Sequence, residues 1–114
     1  MYDYNAVLRR VIDGDTYVLD IDLGFHIWTT QHVRLEGIDC PEKNTPEGVL
    51  ATNFARVWFS MAGPGITIRT APGQPTTFER WVAGVFLPAG ASALFGCRDL
   101  AGALRTAGHV KHVG

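Results

Sequence analysis

The chain has 114 residues and a formal net charge of −1, with 46% hydrophobic and 18% charged residues. That length allows one domain with a modest core, and the near-neutral charge argues against a protein that holds nucleic acid by bulk electrostatics. No apolar run is long enough to span a membrane, so no membrane partner is expected. The polar start MYDYN is not a signal peptide, which favours a cytoplasmic protein unless a leader has been removed. Cys40 and Cys97 have no metal-site spacing and are expected to be reduced thiols.

Alternating apolar residues predict two strands at the start of the chain, residues 4–12 and 17–23. The tripeptide Asp13-Gly14-Asp15 joins them, and Asp-Gly between two such segments is a common hairpin turn in which Gly14 supplies the bend. A third strand is predicted over residues 27–36, where β-branched and aromatic side chains are frequent. A proline-containing loop, GIDCPEKNTPEG, follows it.

The hydrophobic period then changes to that of a helix over residues 46–62. Thr45 is suited to the N-cap, Pro46 to the first helical position, and Gly63 to the end of the helix. One apolar stripe of this helix is predicted to face the core, formed by Leu50, Phe54, Val57, Trp58 and Met61.

Two more strands, over residues 66–71 and 81–87, precede a last helix that Asp99 caps and Gly108 ends. The order is therefore three strands, a helix, two strands and a helix, a β-rich member of the α+β class. The economical arrangement is a five-stranded Greek-key barrel of the oligonucleotide/oligosaccharide-binding (OB) kind, with one helix after strand three and one at the C-terminus. An open α+β sheet is the alternative.

Carboxylates are concentrated between Asp13 and Glu42, where Arg34 is the one basic residue. The turn at Asp13 and Asp15 and the loop at Asp39 could lie at the same end of neighbouring strands. Their charges would then repel unless a cation compensated them, and oxygen ligands select a hard ion such as Ca²⁺ or Mg²⁺. The plainer alternative is that these are ordinary turn residues.

Three further charged residues complete a possible catalytic set. Glu42 could take a proton from a metal-associated water or orient that water. Arg34 and Arg80 could bind a phosphate through paired N–H donors and stabilise charge on its oxygens. Such a set suits metal-assisted hydrolysis of a phosphodiester. The alternative for Arg34 is a structural ion pair with Glu36 or another acid.

Three segments resemble the staphylococcal nuclease (thermonuclease) family: VIDGDTYVL at residues 11–19, VRLEGIDCPE at 33–42 and FERWVAGVFL at 78–87. Their order and spacing match over about residues 7–110. The resemblance implies an OB barrel and a Ca²⁺-dependent nuclease acting on DNA, RNA or both. It also implies one domain over residues 1–114 that lacks the family's last helix. A monomer is expected, and no partner protein is indicated.

The resemblance also implies a Ca²⁺ site. Asp15 and Asp39 correspond to its two aspartate ligands, and the backbone carbonyl of Cys40 corresponds to a third ligand. Because that ligand is main chain, a cysteine in place of the family's frequent threonine need not abolish binding. Asp13 matches an acidic neighbour of the ion that does not touch it.

The remaining roles follow in the same way. Glu42 resembles the glutamate proposed as general base or water-positioning group, and Arg34 and Arg80 resemble the two arginines that hold the scissile phosphate. Trp81, next to Arg80, could touch substrate, although it carries the weakest expectation. Trp28 could stack on a base, whereas Trp58 is expected in the core.

The chain also departs from the family pattern. Glu79 stands where glycine is common, and Phe78 replaces a tyrosine that reaches the substrate phosphate in the prototype. His109 and His112, near the C-terminus, receive no role. These departures leave a rival function open, a non-catalytic OB module that binds nucleic acid or a protein. In family members of that kind the acids and arginines are typically lost, whereas this chain keeps them.

Overall fold

The computed structural model describes residues 2–70, 81–88 and 90–111. The predicted strands and helices are confirmed, and their ends differ from the predicted ones by no more than a residue or two. In chain order they are β1 (Tyr2–Asp13), β2 (Thr16–Asp22), β3 (Trp28–Leu35), α1 (Pro46–Ala62), β4 (Ile66–Thr70), β5 (Trp81–Phe86) and α2 (Leu100–Ala107).

The five strands form a closed barrel in the order β1-β2-β3-β5-β4. The closing pair, β1 with β4, is antiparallel, and so are the other pairs except β3 with β5, which is parallel. The β-rich α+β class is therefore confirmed, and the open sheet is wrong. A closed five-stranded barrel with two helices is consistent with an OB fold.

β1 is long because it serves two neighbours. Its first residues, from Tyr2 to Ala6, pair with β4, and its later ones, from Ala6 to Asp13, pair with β2. Two register irregularities interrupt the pairing with β2. Irregularities of this kind bend and twist a strand, which allows β1 to curve around the barrel and deliver Asp13 to one end of it.

The core fills the barrel and the space beneath the helices. Along β2, Tyr17, Leu19 and Ile21 are fully buried, as the alternation of apolar residues predicts. Trp58 of α1 is also fully buried, so its placement in the core is confirmed.

The predicted core stripe of α1 is confirmed at Trp58 and in part at Phe54, which packs against the core, and it is wrong at the other three positions. Leu50, Val57 and Met61 are 59%, 49% and 56% exposed, and Phe54 is half-buried against Phe95 and His109. The buried residues of the helix are instead Gly48, Ala51, Thr52, Ala55, Trp58 and Phe59. Because several of these side chains are small, this face of the helix approaches the end of the barrel closely. The close packing over the whole face stabilises this orientation of the helix more than burial of its larger hydrophobic residues would.

The ends of both helices agree with the predictions. The Thr45 hydroxyl accepts from the Gly48 amide and caps α1. The Asp99 carboxylate accepts from the Gly102 amide and caps α2, which ends at Gly108 in the left-handed conformation that glycine favours. Among the described residues, neither helix has the length and apolar character needed to cross a membrane.

Candidate functional site

The turn between β1 and β2 packs tightly against two other parts of the protein. The Asp15 amide donates to Asp13 Oδ1 at 3.1 Å, which fixes the turn. A Cβ on Gly14 would lie 2.9 Å from the Ala51 Cβ and 2.9 Å from the Cys40 sulfur. Gly14 does not have a positive φ. Close packing against α1 and Cys40, rather than the bend predicted from the sequence, therefore explains why residue 14 is a glycine.

Asp15 is a buried carboxylate, 5% exposed. Its Oδ2 accepts from the Cys40 amide at 3.0 Å and from Arg34 Nη1 at 3.4 Å, and its Oδ1 accepts from the Thr16 hydroxyl at 3.2 Å. Burial raises the pKa of Asp15, and a hydrogen bond with Asp13 raises it further, while the Cys40 amide and Arg34 oppose that rise. The hydrogen bonds from the Cys40 amide and Arg34 therefore offset the cost of burying the charged Asp15 carboxylate only in part.

Arg34 connects Asp15 to Asp39. Its Nη2 donates to the Ile38 carbonyl at 3.1 Å and lies 3.7 Å from Asp39 Oδ1, while its Nη1 reaches Asp15. The predicted alternative partner, Glu36, is not among the ion-pair partners that the structure gives this side chain in the described residues. A guanidinium has five N–H donors, so Arg34 can make these contacts and also donate to a phosphate.

Glu42 belongs to the loop that leads into α1, and its backbone is held by the start of that helix. The Glu42 carbonyl accepts from the Thr45 amide at 3.0 Å and from the Thr45 hydroxyl at 2.7 Å. The side chain of Glu42 is 75% exposed, so its carboxylate is accessible to water and substrate. This combination of a fixed backbone and an open carboxylate suits a group that positions a water molecule.

Lys111 links Glu42 to Asp39, a role that the sequence did not reveal. Its Nζ lies 3.7 Å from Asp39 Oδ1 and 3.7 Å from Glu42 Oε1. Its amide donates to the Asp39 carbonyl at 2.8 Å. The motif GHVKHVG contains the only lysine after Lys43. That signal alone could not show which carboxylates the lysine reaches.

A cleft of about 520 Å³ opens beside Glu42 and Lys111. Apolar residues from three segments line much of it, namely Pro41, Leu50, Ala107 and Val110. A cleft of this size is within the range of small-molecule sites in proteins. The Glu42 carboxylate therefore lies next to a cleft that has room for part of a ligand.

Carboxylate oxygens are the ligand type that hard cations prefer, but both oxygens of Asp15 already accept hydrogen bonds. The Asp15 amide donates to Asp13 Oδ1, and burial of Asp15, together with the neighbouring Asp13 carboxyl, raises the pKa of Asp15. Within residues 2–70, 81–88 and 90–111, no three His, Cys, Asp or Glu side chains are grouped closely enough to hold a metal ion. A calcium ion here would need backbone carbonyls and water to complete its ligands, as Ca²⁺ commonly does.

The predicted site residue Arg80 lies outside the described residues, and so do Phe78 and Glu79, which depart from the family pattern, and His112, which received no role. Trp81 begins β5 and is half-buried, with its ring packed edge-on against Tyr4 at a centroid distance of 5.9 Å. Trp81 is paired in register with Val33, so β5 begins beside the part of β3 that holds Arg34. Its contact with substrate stays a prediction.

The structure therefore brings four of the predicted charged residues into one cluster. Arg34 lies between Asp15 and Asp39, the Cys40 amide contacts Asp15, and Lys111 adds Glu42 to the same group. No protein-family model and no curated protein sequence matches this chain.

Proposed function

We propose that the chain is a Ca²⁺-dependent nuclease of the staphylococcal nuclease type that hydrolyses phosphodiester bonds of DNA, RNA or both. The observation that carries this proposal is the contact of Arg34 with both Asp15 and Asp39 at one end of the barrel. Two candidate cation ligands and one candidate phosphate ligand are thereby adjacent. A cation and a phosphate bound there would be neighbours, as metal-assisted hydrolysis requires.

The proposal includes the finer classification of the fold. The strand order and the parallel pairing of β3 with β5 support a Greek-key OB barrel formed by residues 1–114 as one domain. The chain would act as a monomer, with a nucleic acid as substrate and no partner protein.

Each residue has a role in this proposal. Asp15, Asp39 and the Cys40 carbonyl would hold Ca²⁺, with Asp13 beside them. The bound ion would neutralise charge that builds up on the phosphate oxygens. Glu42 takes a proton from the attacking water or orients that water towards phosphorus. Arg34 and Arg80 donate to the phosphate oxygens, and these hydrogen bonds strengthen as negative charge builds up in the transition state.

The first test measures hydrolysis of single-stranded DNA and RNA with Ca²⁺ and with EGTA. We expect cleavage with Ca²⁺ and its loss in EGTA. Glu42→Gln and Arg80→Ala should each lower the rate by about two orders of magnitude, the scale for losing one positioned catalytic group. Glu47→Gln is the matched comparison for Glu42→Gln, since Glu47 is also exposed and lines the same cleft, and it should lower the rate less than Glu42→Gln does. An unchanged rate in both test variants would refute the assignment.

The rival function is a nucleic-acid-binding module without catalysis. It is favoured by exposed aromatic residues at the β2–β3 end, where Phe25 is 95% exposed and Trp28 is 53% exposed. Exposed aromatic rings on small barrels can stack on bases. Oligonucleotide binding that persists in EGTA, weakens in Trp28→Ala and occurs without cleavage under any metal would favour this function over the nuclease.

A further inference from the structure

The segment after α2 brings Lys111 to the charged cluster by a defined backbone route. The Gly108 amide donates to the Arg105 carbonyl at 3.1 Å, and the His109 amide donates to the Leu104 carbonyl at 2.9 Å. The His109 ring then packs on Phe54 of α1 at a centroid distance of 4.9 Å. The chain is therefore directed from the end of α2 across α1 towards the loop that holds Asp39.

At that loop the backbone and the side chain of Lys111 make different kinds of contact. The amide is hydrogen-bonded to the Asp39 carbonyl at 2.8 Å, which anchors the residue. The ammonium lies 3.7 Å from a carboxylate oxygen of Asp39 and 3.7 Å from one of Glu42, and the side chain is 43% exposed. A lysine side chain is long and flexible, so its ammonium can leave while the backbone stays anchored.

Asp39 Oδ1 is close to two cationic groups at once. Arg34 Nη2 and Lys111 Nζ are each 3.7 Å from it. Arg34 is also hydrogen-bonded to the Ile38 carbonyl and to the buried Asp15, and its side chain is less exposed than that of Lys111. When a third positive charge arrives at Asp39, Lys111 can therefore move away more easily than Arg34.

We propose that Lys111 is an internal counter-ion that competes with a divalent cation for Asp39 and keeps Asp39 and Glu42 close to each other. The inference rests on the proposed function, because Asp39 is a candidate Ca²⁺ ligand only there. An ammonium and a calcium ion both prefer carboxylate oxygens, and their charges repel when they share one. Lys111 thus lowers the affinity of the site for the ion and moves aside when the ion binds.

The test measures the dissociation constant for Ca²⁺ by isothermal titration calorimetry in the full chain. Lys111→Met keeps the length of the side chain and removes its charge, and we expect it to bind Ca²⁺ about three- to tenfold more tightly, the scale of two exposed ion pairs. Lys111→Arg should bind as the wild type does. Higher salt should reduce the difference between Lys111→Met and the wild type, because exposed charges are screened.

Lys43→Met is the matched control. Lys43 is exposed and follows Glu42 directly, and it lines a different surface hollow with Ile12 and Asn53. Lys43→Met removes the same charge from the loop that holds Asp39 and Glu42, and it leaves the contacts of Lys111 to these two residues in place. Its effect on Ca²⁺ affinity should therefore be well below that of Lys111→Met.

Three results separate this inference from the proposed function. Calcium-dependent cleavage together with equal Ca²⁺ affinity in Lys111→Met and Lys43→Met overturns the counter-ion role and leaves the nuclease standing. No Ca²⁺ binding in the wild type or in Lys111→Met overturns both. Ca²⁺ binding that strengthens only in Lys111→Met, without any cleavage, supports the counter-ion role and rejects the nuclease.

Discussion

Cys40 contributes to the site through its backbone while its side chain belongs to the core. Its amide donates to Asp15, and its thiol is buried against Gly14. Burial raises the pKa of the Cys40 thiol to about 12, and the nearby carboxylates of Asp15 and Asp13 add to the effect. The thiol is therefore neutral and shielded at ordinary pH, which agrees with a structural side chain.

Alkylation should distinguish the two cysteines. Near neutral pH we expect iodoacetamide to react with Cys97, which is half-buried, much faster than with Cys40, because the Cys40 thiol is buried and its pKa is raised to about 12. Mass spectrometry of the single variants Cys40→Ser and Cys97→Ser measures the alkylation rate of the one cysteine that remains in each. Equal rates in the folded protein would mean that Cys40 is accessible, whereas guanidinium should make the two rates similar.

The first turn of α1 and the loop before it are interdependent elements. A Cβ on Gly48 would lie 1.7 Å from the Glu42 carbonyl oxygen, which is the same oxygen that Thr45 holds through two hydrogen bonds. The helix can thus approach the loop because residue 48 has no side chain. The position of Glu42 therefore depends on a glycine within the helix.

Gly48→Ala should displace this loop. We expect it to lower the free energy of unfolding by about 1–3 kcal/mol, the usual cost of overpacking, and to reduce the proposed hydrolysis because the Glu42 backbone must move. Gly65→Ala is the control, since no atom lies within 4 Å of its added Cβ and surface changes of this kind stay within about 0.5 kcal/mol. Urea unfolding measures both variants, and equal stability would contradict the close contact.

The helices illustrate which features of an element can be predicted from sequence. Caps and ends depend on a few neighbouring residues, so the predictions at Thr45, Asp99 and Gly108 are confirmed. The buried face of α1 depends on the shape of the barrel end, which local sequence does not contain. Leu50 and Met61 are hydrophobic but exposed, because the small residues Gly48 and Ala51 permit a closer approach on another face.

At the scale of the whole molecule, Asp15 ties stability to pH and, under the proposed function, also to calcium. Burial is the main cause of its raised pKa, and the hydrogen bond with Asp13 is the second. Because the pKa is higher in the folded protein than the ordinary 3.8, the folded state binds the proton more strongly. This contribution to stability is fully present below the unfolded pKa and is lost as pH rises through the folded pKa.

Asp15→Asn should remove the loss of stability that the wild type shows as pH rises. In EGTA, we expect the stability of the variant relative to the wild type to improve as pH rises from below 3.8 towards neutrality, because no buried charge has to form. Added Ca²⁺ should raise the melting temperature of the wild type and leave that of the variant unchanged. Asp22→Asn, at the other end of β2, controls for the loss of one carboxylate. A relative stability of Asp15→Asn that falls with pH would contradict the assignment.

The candidate site was only partly predictable for a similar reason. Asp15, Arg34, Asp39 and Glu42 lie in two short segments, and their residue types leave a common site as one of two alternatives; the resemblance to the staphylococcal nuclease family assigns them to one site. Lys111 and Asp39 are far apart in the sequence, and their contact forms only once α2 is packed on α1. The structural alternative for Arg34, an ion pair with Glu36 or another acid, is confirmed for other acids, because Arg34 pairs with Asp15 and Asp39, which are also candidate site residues.

The pairing of β3 with β5 also has a consequence for how the protein folds. Val33 pairs with Trp81, so this contact must wait for a long stretch of chain, whereas β1, β2 and β3 are joined by short connections and can pair early. We expect the acidic turn and Arg34 to meet in that early three-stranded unit. Lys111 arrives with α2, so we expect that turn to form before the lysine that contacts Asp39 and Glu42 reaches the site.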